Sequence, residues 1–470
     1  MRLAYISGEP YHAINDAGTY NRLASMISQY GDYHTGSGPR SGAGGSRGPT
    51  AYFPPAFPYY LAALDALDGH QAGGKPAVPP ERREMAVTGT IAVGLVGLVA
   101  LEAFGEAAGL IALAVAAFYP VMIELSGALV AENLVVVLEL AAAWAILRGR
   151  RARHPYPWIA GAGVLTGLCA LAHENAILDL LPFAAAAWAI GRGRDRSPPT
   201  AARTTTPGAG TTTMTTTRGW ARRSRPLAAP ALLVLMTCLT IAPWTIRNAI
   251  ELHHFVPIAD ETGITLAGTY NPTSAATPGV PYKWHLFSHV PSLHYLAHES
   301  NRLTEVQLSN KLETQAFDYI KARPLAPFDA GWHNTLRMLE LEGTFAWRAS
   351  ADALNLHEPW PTIGVYGFYV VALLAIAGAF TRTARRGPGW LWAVPLLWWI
   401  SIVFVNVETP RFREPIDPFV IMLAACALST ALARVGAALG LGRAPVRSRR
   451  RAPELARDQA ELVQMRQRLA

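Results

Sequence analysis

Residues 127–151 read GALVAENLVVVLELAAAWAILRGRR. A run of about 20 apolar residues ends abruptly in Arg148, Arg150 and Arg151. A helix of that length crosses the ~30 Å apolar core of a bilayer. Arginines clustered just past one end mark that end as cytoplasmic. Eight more segments of comparable character flank this one. The set runs roughly 86–104, 107–123, 127–147, 157–173, 175–190, 228–246, 362–380, 389–406 and 416–434. The whole chain of 470 residues is 51% hydrophobic and only 16% charged. Soluble domains are nearer a quarter charged. The expected fold class is therefore an all-α polytopic membrane protein of about nine spans, which excludes a disordered chain and a disulfide scaffold. Cys169, Cys238 and Cys426 all lie in apolar runs and read as small hydrophobes, not bridges or metal ligands. The net charge of +8 follows from the positive-inside bias, so nucleic acid is not an expected partner.

Orientation follows from the arginines and lysines. The loops 148–156, 191–227 and 381–388 and the tail from Arg434 hold four, eight, three and nine of them, 24 of 41 in all. The opposite set of loops is more than twice as long and holds the other 17. The dense set should be cytoplasmic, which puts 1–85 and 247–361 outside. The opening MRLAYISGEPYHAIND has no apolar stretch to export it. A first spanning helix is therefore expected ahead of this sequence. The organisation reads as an outer first loop (1–85), spans (86–190), a Thr-rich disordered cytoplasmic loop (191–227), a span (228–246), an outer helical loop (247–361), spans (362–434) and a basic cytoplasmic tail (435–470). Residues 36–48 read as a Gly/Ser linker. In the outer loop, the apolar spacing predicts an amphipathic helix ending before Pro324 and another over 326–341. A loop of about 115 residues suits the roof of a cavity better than an independent catalytic domain.

Several polar residues are costly where they stand. An ionisable group in a span is a functional candidate by default. Glu132 and Glu139 are seven residues apart, on one helical face and about 10 Å apart in depth. Glu139 reads as paired with a Trp or hydroxyl inside the bundle, and Glu132 as facing the outer side. His173, Glu174 and Asn175 gather at an outer turn near it. Asp16 lies in NDAGTYNRLASMISQYG, where it shares a helical face with Tyr20. There it could serve as an N-cap or be presented at the membrane surface. Arg247 leaves the sixth span in APWTIRN, and Arg411 and Arg413 enter the ninth in VETPRFREPIDPF. Planar guanidinium forks suit phosphate oxygens.

These pieces, in order, resemble the GT-C glycosyltransferases, above all the bacterial branch related to protein mannosyltransferases and the aminoarabinose transferase. The matching stretches are NDAGTY (15–20), YFPPAFPYYLAAL (52–64), AAFYPVMIELSGALVAENLVVVLELAA (116–142), GLCALAHENAILDLLP (167–182), APWTIRNAIELHHFVPI (242–258) and RFREPIDPFVIMLAA (411–425). Each alone is weak, and six in order are fairly specific. Members of the family begin with a spanning helix ahead of the outer acid, and they often carry Arg where this chain has His173.

The resemblance implies a GT-C helix bundle in the plasma membrane with its active site on the extracytoplasmic side. It implies a sugar, hexose or pentose, moved with inversion from a polyprenyl-phosphate donor to a cell-envelope glycan, lipid or protein. Asp16 is then the catalytic base and Glu132 an auxiliary acid. Arg411, Arg413 and Arg247, with His173, are phosphate-side candidates, and Tyr20 and Glu174 are substrate-binding. No zinc or Walker motif is present in the sequence, and a divalent cation is left open. The second functional class is a transporter or flippase of lipid-linked sugars, which shows no internal repeat here. A third is an inactive truncated homologue.

Overall fold

The computed structural model describes residues 1–34, 48–67, 78–195, 218–300 and 302–439. The Gly/Ser linker, the Thr-rich part of 191–227 and nearly all of the basic tail lie outside them. Among the described residues the chain is helical, with one isolated bridge between His34 and Pro49. It is an all-α polytopic membrane protein. Four helices are long and apolar enough to cross a membrane: Arg82–Phe104, Pro226–Glu251, Trp360–Ala379 and Asp417–Ala438. Glu106–Phe118, Tyr156–Ala172 and Trp390–Val403 are apolar but shorter. Glu132–Arg151 and Leu180–Asp195 complete, among the described residues, nine helices at the nine expected segments.

Three of these segments begin or end differently from the hydropathy reading. The second stops at Phe118, and Pro120 opens a separate short helix, Pro120–Leu125. Proline lacks the N–H a continuing helix needs and favours the first helical turn. The third starts at Glu132 and not at Gly127. The fifth starts as a 3-10 turn, Glu174–Asp179, before Leu180. All three irregularities face the end of the bundle where the polar residues gather.

Small residues let the helices approach. A Cβ on Gly163 would meet the Leu233 carbonyl oxygen at 2.5 Å, and one on Gly167 would meet Thr240 Cβ at 2.6 Å. Thr237 Oγ1 donates to the Gly163 carbonyl at 2.9 Å across the same crossing. Small residues four apart, with a bridging hydroxyl, are the usual means of helix association where no hydrophobic force acts between lipid-facing surfaces.

The bundle has two chemically different ends. At the basic end, Glu102 accepts from Arg148 at 2.9 Å and from Arg151. At the other end, Arg82 donates to the carbonyls of Gly127 and Glu9, each at 2.8 Å. The loop segment over that second end has its own core of Ile264, Leu308, Leu312 and Ala330. Its helix Glu305–Ala322 is set by a capping box, with Thr304 accepting from the Gln307 N–H and the Gln307 side chain accepting from the Thr304 N–H.

Candidate active site

Helix Asn15–Tyr30 carries Asp16 in its first turn, and Ile14, not Asp16, holds the N-cap position. The Asp16 carboxylate is therefore not engaged in capping. It accepts from Arg411 Nη1 at 2.6 Å. Arg411 Nε donates to Glu132 Oε1 at 2.7 Å, and Glu408 lies 3.9 Å from Arg411 Nη1. Three stretches roughly 120 and 280 residues apart in sequence thus meet on one guanidinium. Glu132 is fully buried, Arg411 nearly so, and Asp16 keeps a side-chain exposure of 41%. Burial works against the Arg411 charge, but Glu132 and Asp16 more than offset it and hold it cationic.

This ion group edges a cavity of about 750 Å³. The floor includes Tyr20, His173 and Phe412. The roof is formed by the outer loop through Glu261, Trp284, His285 and His289. The Tyr20 hydroxyl is buried, which pushes its pKa well above the usual phenol range. Burial raises Glu174 to about 7, and the charge of Asp260 adds to the shift. Burial likewise raises Glu261, with Glu174 and Asp16 acting in the same direction. The His173 ring packs edge-on against Trp398 and Phe412, with centroids 5.3 and 6.3 Å away. Among the described residues its Nδ1 has no hydrogen-bond partner. The cavity therefore combines acids that share few cations with one histidine of open valence.

Residues 53–204 match the family described as dolichyl-phosphate-mannose-protein mannosyltransferase. The match covers this segment of the chain and marks a likeness to that family. No curated protein sequence matches the chain. Among solved structures, the chain is similar to the archaeal oligosaccharyltransferase AglB from Archaeoglobus fulgidus, in complex with an inhibitory peptide and a dolichol-phosphate. That likeness has 13% identity and a TM-score of 0.46, over 91% of this chain and 48% of the other. It is also similar to ArnT from Cupriavidus metallidurans bound to undecaprenyl phosphate, at 12% identity and TM-score 0.38, over 92% of this chain and 75% of that one. The chain spans about half the length of the archaeal enzyme.

The cavity brings together Asp16, Tyr20, His173, Glu174 and Arg411, with Glu132 directly behind Arg411. Two expected residues lie elsewhere. Arg413 turns away from the cavity into a buried group, donating to Glu340 at 2.8 Å and to Asp417 at 3.1 Å. Its guanidinium also sits over Phe368, and Tyr119 donates to Asp417 at 2.9 Å. The reason is local: Arg411–Arg413 is a 3-10 turn, in which residues two apart point to different sides. Arg247 donates to the carbonyls of Tyr33 and Thr50, each at 2.8 Å, and stacks near Trp244. It ties the first loop to the sixth spanning helix and does not line the cavity. Glu139 is buried in the bundle beside Asp179 and Trp398. Trp398 offers it an indole N–H, in keeping with the Trp pairing expected for it.

Cavity residues that were not singled out from the sequence include Arg22, Glu261, Glu408 and Trp284. Arg22 had a legible signal, since it follows Thr19 by one helical turn on the helix that carries Asp16. Glu408 stands three residues before Arg411, within the quoted motif. Glu261 and Trp284 had none, because the outer loop reaches the cavity only through its tertiary fold. Among the described residues Arg22 has no acidic partner, in contrast to Arg411. No group of three or more His, Cys, Asp or Glu there suits a metal ion.

Proposed function

We propose that the chain transfers a sugar from a polyprenyl-phosphate donor to a hydroxyl of an envelope glycan, lipid or protein, at the outer face of the plasma membrane. The observation that carries this reading is the meeting of Asp16, Glu132 and Arg411 at the edge of a 750 Å³ cavity, in a chain with a mannosyltransferase-type segment. Asp16 is the exposed member of the group and the one an acceptor can reach. In the reaction, the acceptor oxygen attacks C1 of the sugar and its proton passes to Asp16. The bond between C1 and the phosphate oxygen breaks, and its electron pair leaves with the polyprenyl phosphate. A single displacement of this kind inverts C1. The leaving phosphate gains negative charge, which favours guanidinium groups at the cavity wall. Among the described residues Arg22 has no acidic partner, whereas Arg411 is already balanced by two carboxylates. Glu132, buried behind Arg411, orients that guanidinium and with it Asp16.

The test uses membranes carrying the chain, incubated with labelled polyprenyl-phosphate sugars. Asp16→Asn should lower transfer by about 10²–10⁴-fold at unchanged folded yield. Near-normal transfer by that variant removes Asp16 from the mechanism and moves the base to Glu132. Arg22→Gln should raise the donor concentration needed for half-maximal rate by on the order of tenfold, with partial recovery in Arg22→Lys. An unchanged donor requirement in Arg22→Gln removes it from the phosphate side.

A further inference from the structure

The basic end of the bundle holds a second cavity, of about 380 Å³. It lies at the far end of helix Glu132–Arg151, about 27 Å from Glu132 by helical rise. Its walls are apolar: Ile146, Leu147, Ala186, Ala189, Ile190 and Trp390. Trp390 packs edge-on against Phe183 with centroids 5.7 Å apart and is half-buried.

Among the described residues, Arg150 is the only charged one lining this cavity. Its neighbours Arg148 and Arg151 are both engaged by Glu102. Arg150 itself is exposed, and among the described residues no carboxylate pairs with it. Two helices also begin at the cavity wall. Tyr156–Ala172 starts after Pro155, and Trp390–Val403 starts after Pro388 and Gly389. Neither has a side chain capping its first turn, although the Leu391 and Trp392 N–H groups donate to the Pro388 and Gly389 carbonyls at 3.0 and 3.2 Å. The positive ends of both helices therefore add to the Arg150 charge.

An apolar chamber with a free guanidinium and two positive helix ends complements a molecule that joins an anionic head to an apolar body. A free phosphate ion matches only half of that, since the walls offer nothing to replace its hydration shell. We propose that this cavity binds an anionic phospholipid, with the headgroup phosphate on Arg150 and the acyl region along Ile190 and Trp390. The proposal rests on the basic-end cavity alone and stands or falls independently of the sugar-transfer chemistry at the other end.

The experiment measures lipid retained by the purified full chain in native mass spectrometry, after titration with dioleoyl-phosphatidylglycerol or dioleoyl-phosphatidylcholine. The wild type should retain the anionic lipid preferentially. Arg150→Gln should lower that preference by on the order of tenfold, the effect of losing one charge-assisted contact. Ala189→Phe, which fills the chamber, should lower retention of the anionic lipid while Arg150 remains. Arg192→Gln removes a charge at the same end that stacks on Trp188 outside the cavity, and should change little. Equal retention of the two lipids by wild type, or full retention by Arg150→Gln, overturns the proposal. So does displacement of the lipid by millimolar glycerol phosphate, which would make the site one for a free anion. Thermal unfolding of each variant separates loss of the site from loss of the fold.

Discussion

Replacing Arg411 by Gln tests the central ion group most directly. The side chain is nearly buried and joins Glu132 at 2.7 Å to Asp16 at 2.6 Å. Glu132 is fully buried, and among the described residues one of its oxygens already lacks a partner. Removing the cation leaves that carboxylate without compensation. Breaking a buried pair from one side costs about 3–5 kcal/mol. Asp16 adds little to this, because water already solvates it in part. The unfolding temperature of the detergent-purified chain should therefore fall by roughly 3–5 °C. Glu132→Gln introduced together with Arg411→Gln removes the orphaned charge and should recover much of the loss. The coupling between the two sites should fall at the upper end of the roughly 0.5–3 kcal/mol seen for groups in direct contact. The readout is thermal unfolding by intrinsic fluorescence for wild type, both single variants and the double variant. If Arg411→Gln and the double variant unfold at the same temperature, Glu132 does not depend on Arg411 for its charge balance and the reasoning fails.

Three further outcomes follow from the structure. A Cβ on Gly268 would lie well inside contact distance of Trp284 Nε1 and 2.7 Å from the His285 carbonyl oxygen, so Gly268→Ala should displace the cavity roof; sugar transfer should drop more than folded yield, and parallel losses would refute a specific effect on the roof. Glu305 accepts from the Thr50 hydroxyl at 2.5 Å and the Ala51 N–H at 2.8 Å, and burial raises its pKa to about 7. A carboxyl whose pKa is raised on folding is more protonated folded than unfolded, so its contribution to stability falls as pH rises from about 4.3 to about 7, by at most about 4 kcal/mol. Glu305→Gln should flatten stability across that window in unfolding measured at several pH values, and an unaltered profile would rule Glu305 out. Finally, single cysteines at exposed His154 and Ser292 should label from opposite sides of intact cells, with Ser292 reached from outside; the reverse pattern would invert the proposed orientation.

The nine helices were legible because apolar length and flanking arginines are local quantities, and the bilayer selects on both. The helix breaks at Pro120 and before Leu180 were less so, since hydropathy averages over a window and does not register where backbone hydrogen bonding changes. Asp16, Glu132 and Arg411 could be nominated singly, because a charge near an apolar run is conspicuous wherever it occurs. That they share one guanidinium is a property of the tertiary fold. So is the separation of Arg411 from Arg413, two residues apart but turned to different partners by a 3-10 turn. Arg247 illustrates the same limit. Its charge was visible, but the carbonyls of Tyr33 and Thr50 that engage it lie about 200 residues away. Sequence alone determined the elements and the inventory of costly polar groups, because burial of apolar surface depends on composition along the chain. Which of those groups face the cavity and which balance one another was decided only by packing, because charge compensation acts through space over a few ångströms and takes no account of distance along the chain.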